Sequence, residues 1–70
     1  MAKRELPNWL ENLRELRKDK GYTQADVAKA IHISLSSYQH DESNVGMMRV
    51  ERLIEVCKVI DVDIRKVFED

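Results

Sequence analysis

Residues 23–42, TQADVAKAIHISLSSYQHDE, constrain this chain more than any other stretch. They read as two short helices joined by a tight turn. Thr23 is placed to cap the first, with Asp26 three residues on, where an acid can return the cap's hydrogen bond. Val27, Ala28 and Ile31 mark one apolar face at helical spacing. His32 and Ile33 make the turn. Ser34 is placed to cap the second helix, expected over 35–41 with Tyr38 as its inward anchor. Helices this short are not stable alone in water. They need a body to pack on, and the rest of the chain must supply it. A short helix offered outward by such a body is one way of reaching into a DNA groove.

Seventy residues suffice for one domain, near the lower limit for a self-sufficient core. We therefore expect a single domain over 1–70, with 1–7 a flexible N-terminal arm carrying Lys3 and Arg4. One Cys excludes an internal disulfide and fits a reducing compartment. The apolar runs are too short to span a bilayer, and MAKRELPNW lacks the apolar segment of a secretory signal. A cytoplasmic protein without membrane contact is the expectation.

A net charge of -1 is unusual for a nucleic-acid binder, but the charges are unevenly spread. Residues 1–40 hold seven Lys and Arg against five acids, and residues 41–70 hold five against eight. A local positive face is permitted within the first part.

Pro7 discourages an earlier helix, and Asn8 with Glu11 has the pattern of a capping box. A first helix is expected over 9–20, with Leu10, Leu13 and Leu16 as its apolar stripe and Gly21 as its stop. Arg14, Arg17, Lys18 and Lys20 crowd its second half, where cations complement the helix dipole; Arg14 or Arg17 could alternatively contact a phosphate. Gln24 stands at the first turn of the next helix, beside backbone N–H groups that can hold a phosphate oxygen. Lys29 is a candidate exposed phosphate contact.

The third helix turns Ser34, Leu35, Ser36, Ser37, Gln39 and His40 mostly toward solvent. Serine and glutamine can donate and accept at base edges, Leu35 can rest on a thymine methyl, and His40 can donate to a base or phosphate. With no Lys or Arg here, backbone attraction must come from other helices or a second subunit.

SNVG, 43–46, is a connector. A fourth helix is expected over 47–60, with Val50, Leu53, Ile54, Cys57 and Ile60 as its core stripe and Cys57 as a buried small hydrophobe. Arg49 and Arg52, near its start, are further phosphate candidates. Asp63 can cap a last helix over 64–68, whose Ile64, Val67 and Phe68 close the domain or meet a partner.

LRELRKDKGYTQADVAKAIHISLSSYQHDE and the later ERLIEVCKVIDVDIRKVF together resemble the Cro/C1-type (XRE) helix-turn-helix family of bacterial and phage regulators, over about residues 9–68. The resemblance implies an all-α, compact five-helix, lambda-repressor-like DNA-binding domain. It implies that Gln24 contacts DNA phosphate and helps to orient a base-reading side chain. Leu35, Ser36 and His40 fall where members read base edges; Ser34, Ser37 and Gln39 fall at positions that touch backbone or bases at the margin. Gln39 joins Leu35, Ser36 and His40 as our base-reading set. Gln24, Ser34, Ser37, Arg14, Arg17, Lys29, Arg49 and Arg52 form the phosphate set. Glu42 matches a family glutamate that pairs with a cation of the first helix, here Arg14 or Arg17.

The chain departs from the family at His32 and Asn44, where members commonly have Gly, and at Asp41, where an apolar or aromatic residue is usual. A left-handed or reshaped turn is expected at His32. At Asp41 a more exposed or rotated helix end is expected, because a lone buried carboxylate is costly.

The function implied is sequence-specific binding of double-stranded DNA by a transcriptional regulator, as a repressor and homodimer. The dimer surface would use Met47, Met48, Val59 or the last helix, unless the methionines fill the core. The alternative is an antitoxin-like accessory or protein-interaction module that keeps the fold. An enzyme is not expected: the His and Cys lack zinc-motif spacing and no Gly-rich phosphate loop exists. No cofactor, metal or small-molecule ligand is expected.

Overall fold

The structure, a computed structural model, describes residues 8–43 and 48–69. The arm and the connector positions Asn44 and Met47 lie outside the described residues. Five helices follow in order: α1 (Asn8–Asp19), α2 (Gln24–Ala30), α3 (Leu35–Ser43), α4 (Val50–Ile60) and α5 (Ile64–Val67). No strand occurs among the described residues. The result is an all-α, five-helix domain.

The helix ends follow local chemistry. Thr23 caps α2 with a full capping box: its side chain accepts from the Asp26 N–H at 3.0 Å, and Asp26 accepts from the Thr23 N–H at 2.9 Å. Ser34 Oγ accepts from the Ser37 N–H at 3.1 Å and starts α3. Asp63 accepts from the Arg65 N–H and starts α5.

Three helices end in one way, with a left-handed residue that returns two N–H groups to the last turn. After α1, Gly21 (φ 83) donates to Lys18 and Tyr22 donates to Arg17. After α2, His32 (φ 63) donates to Lys29 and Ile33 to Ala28. After α4, Asp61 (φ 58) donates to Lys58 and Val62 to Cys57. The expected left-handed turn at His32 is present, and Asp61 repeats it. Both side chains are exposed, so only the Cβ opposes this backbone.

α2 packs on α3 and α4, α1 on α5, and α5 on α4. The core gathers Leu10, Leu13, Val27, Ala28, Tyr38, Met48, Leu53, Val56, Cys57, Ile60 and Val67. Burial raises the Cys57 thiol pKa, with Asp63 adding to the rise. On α1, Asn12 Nδ2 donates to the carbonyls of Val67 (2.9 Å) and Glu69 (2.7 Å), tying the first helix to the end of the last.

The fourth helix differs from the expectation. It begins at Val50, and its buried residues are Leu53, Val56, Cys57 and Ile60. Val50 and Ile54 are exposed. Leu53, Cys57 and Ile60 are thus buried as expected, and Val56 takes the inward place expected of Val50 and Ile54. Met48 fills the core, which settles that methionine in favour of packing. Phe68 lies outside, exposed, with its ring tilted against Trp9 at 6.3 Å.

Candidate nucleic-acid interface

A buried polar group sits beneath the two short helices. Glu42, near the end of α3, is only 1% exposed, and a bare carboxylate there would be strongly disfavoured. It is fully engaged. Arg17 meets it side-on, Nε to Oε2 at 2.9 Å and Nη2 to Oε1 at 3.1 Å. Tyr38, one turn earlier, donates its hydroxyl to Oε2 at 2.6 Å. Gln24 donates Nε2 to Oε1 at 2.8 Å. Burial pushes the Glu42 carboxyl up, but the donors Arg17, Tyr38 and Gln24, with the Arg17 charge, outweigh it and hold the pKa below its usual value. Burial and the bond to Glu42 push the Tyr38 phenol well above its ordinary range.

Arg17 therefore lies inside the domain. Its Nη1 donates to the Tyr22 carbonyl at 2.7 Å, and the residue is 5% exposed. Of the two cations considered for Glu42, Arg17 is the partner. Its role is to join α1, the following turn and α3, and to serve a phosphate it would have to leave this pair. Leu10, Leu13 and Arg17 recur at helical spacing on α1, so its burial follows the apolar stripe. Leu16, placed in that stripe by the sequence, is only half-buried.

Gln24 links this buried group to the outer face. While its amide N–H binds Glu42, its Oε1 accepts from Gln39 Nε2 at 3.3 Å. Gln39 is exposed on α3. A fixed side chain at the start of α2 thereby orients one on the outward side of α3. Leu35, Ser36, Ser37 and His40 are exposed on the same helix, with Leu35 at 42%. Ser34 Oγ donates to Ser37 Oγ at 2.9 Å, so these two hydroxyls are organised around the helix start.

The other cations divide. Lys29 and Arg49 are exposed, Arg14 is half-buried, and none makes an ion pair with another described residue. Arg52 is engaged: Nη1 lies 2.8 Å from Asp41 Oδ2, and Nε lies 3.4 Å from Glu55 Oε1. Asp41 is half-buried, and this pair explains how a carboxylate is accommodated at the end of α3. Sequence reasoning missed the Asp41–Arg52 pair and the Tyr38 hydroxyl. Opposite charges on neighbouring helices were a signal for the first; nothing in the sequence marked the second.

Among the described residues, no group of three or more His, Cys, Asp or Glu could hold a metal ion. No helix among them is long and apolar enough to cross a membrane.

Two consecutive short helices, joined through a left-handed turn and braced by a buried Arg–Glu pair, define a helix-turn-helix unit. The family pattern described as "Helix-turn-helix" matches residues 13–67, and the chain belongs to this family, in its Cro/C1-type branch. The branch comprises transcriptional regulators rather than catalysts. Among curated proteins, the chain is similar to the cryptic phage CTXphi transcriptional repressor RstR of Vibrio cholerae serotype O1, with 37% identity over 54 residues. That match covers 77% of this chain but 48% of the relative, so the chain spans about half the relative's length. No solved structure matches significantly.

Proposed function

We propose that the chain binds double-stranded DNA sequence-specifically and regulates transcription as a repressor. The observation that carries this is the connection Glu42–Gln24–Gln39, which fixes a side chain on the exposed face of α3 from inside the domain. Preorganised polar groups on a rigid helix suit the reading of base edges, because little side-chain entropy is lost on contact. Leu35, Ser36, Gln39 and His40 form the base-reading set. Lys29, Arg49 and Arg14 supply backbone attraction, with Gln24, Ser34 and Ser37 at the helix starts. Similarity to a phage transcriptional repressor supports the same reading.

One α3 covers only a few base pairs, so the working species is a homodimer on a two-fold site. Its interface in this reading is the last helix, which the exposed Phe68 beside Trp9 supports. The protein works in the cytoplasm and joins the nucleoid when bound.

The test is titration of a labelled random duplex at rising salt. The expected result is binding at low salt that weakens linearly in log Kd against log salt. No binding at low salt would overturn the proposal.

A further inference from the structure

Besides the buried Glu42, α3 carries one further acid, the half-buried Asp41. Asp41 stands one turn after Ser37 on α3, and Ser37, Asp41, Arg49 and Arg52 line a single open hollow. Its carboxylate is bonded to Arg52, and Glu55 lies against the same guanidinium. Two carboxylates thus share one cation, Asp41 at Nη1 and Glu55 at Nε. The Asp41–Arg52 side chains are 24% and 27% exposed, so this pair is less screened than a surface pair. Arg49, in the same hollow, has no acid partner among the described residues. A phosphate that approaches the hollow finds Arg49 available, Arg52 occupied and the Asp41 carboxylate in the same lining.

Resting on the DNA-binding reading above, the geometry points to Asp41 as an internal counter-ion that competes with the DNA backbone for Arg52. It withholds one positive charge from phosphate and so sets both affinity and salt dependence. Attachment falls to Arg49 and the other cations, while Arg52 is held in reserve.

The experiment measures duplex affinity against salt for four proteins: wild type, Asp41→Asn, Arg52→Gln and the double variant. Asparagine keeps an acceptor for Arg52 but removes the charge. Asp41→Asn is expected to tighten every duplex about 3- to 10-fold at low salt and to steepen the log–log slope by about 0.9, the increment for one more neutralised phosphate. Arg52→Gln alone is expected to leave the wild-type slope unchanged, and in the double variant it should restore that slope. If Asp41 merely ties α3 to α4, Asp41→Asn will change thermal stability and leave the slope unaltered, which overturns the proposal. A slope reduced by Arg52→Gln alone also overturns it, and that arm stands even where Asp41→Asn does not fold. Wild-type protein that shows no salt-dependent binding removes the DNA reading itself, and this proposal with it. Wild-type binding with an unmoved Asp41→Asn slope removes this proposal alone.

Discussion

The Arg17 guanidinium and the Glu42 carboxylate meet through two hydrogen bonds, at 2.9 and 3.1 Å, in the interior between α1 and α3. The pair holds the end of α3 to the body. It also anchors Gln24, and through Gln24 the exposed Gln39. Glu42→Gln would leave the Arg17 charge buried without a counter-charge, at a cost of about 3–5 kcal/mol. Urea unfolding followed by circular dichroism measures this. A loss under about 1 kcal/mol would show that the pair does not hold the fold.

The same carboxylate makes stability depend on acid. Its folded pKa lies below the unfolded value, near 4.5. A depressed acid stabilises the fold above its unfolded pKa and loses that contribution as pH falls through the folded pKa. Asp63, held at about 2 by its hydrogen bonds from Arg65, adds a second loss between about 3.8 and about 2. Urea midpoints should therefore be flat above about pH 5 and fall below it, and Glu42→Gln should flatten the upper part of that fall. A midpoint unchanged from pH 6 to 3 would contradict this.

His32 and Asp61 hold left-handed backbone that glycine adopts without strain. Neither side chain is buried. His32→Gly or Asp61→Gly is expected to stabilise the domain by about 0.5–1 kcal/mol, read as a higher melting temperature. Destabilisation by His32→Gly would mean that the imidazole contributes more than its backbone costs.

These turns show where the sequence could be read and where it could not. Thr23, Asp26 and Ser34 act through neighbours only three residues away, so their caps were legible as local pattern. The left-handed turn at His32 was legible through the family resemblance, because members commonly have Gly there. On α4 the apolar residues outnumber what one face can hold. Val50, Ile54 and Val56 all fit helical spacing, and packing against α2 and α5 decides that Val56 goes inside. That Arg14 or Arg17 pairs with Glu42 was legible only through the family resemblance; charge is a local property, and the choice of Arg17, with a partner 25 residues away, needed the fold. The exposed face of α3 was legible residue by residue, but the Gln24–Gln39 link across it needed the fold.

Base and backbone contacts should separate by their signatures. Gln39→Ala should cost about 1–3 kcal/mol on a preferred site and little on random duplex. Lys29→Ala or Arg49→Ala should weaken all duplexes alike and reduce the salt slope by about 0.9 each. Gln24→Ala should resemble Gln39→Ala in discrimination, because it removes the group that orients Gln39. Competition binding with paired preferred and scrambled duplexes reads all four. Equal losses across both duplexes for Gln39→Ala would place it at the backbone.

The most direct test of the central claim, that α3 reads bases from a frame braced by Glu42, is selection of bound duplexes from a random pool by the wild-type protein. The account predicts enrichment of a two-fold site whose half-sites lie about 10 base pairs apart, centre to centre, and loss of that enrichment with Gln39→Ala. A pool that stays random after selection, although the folded protein is present throughout, would contradict it.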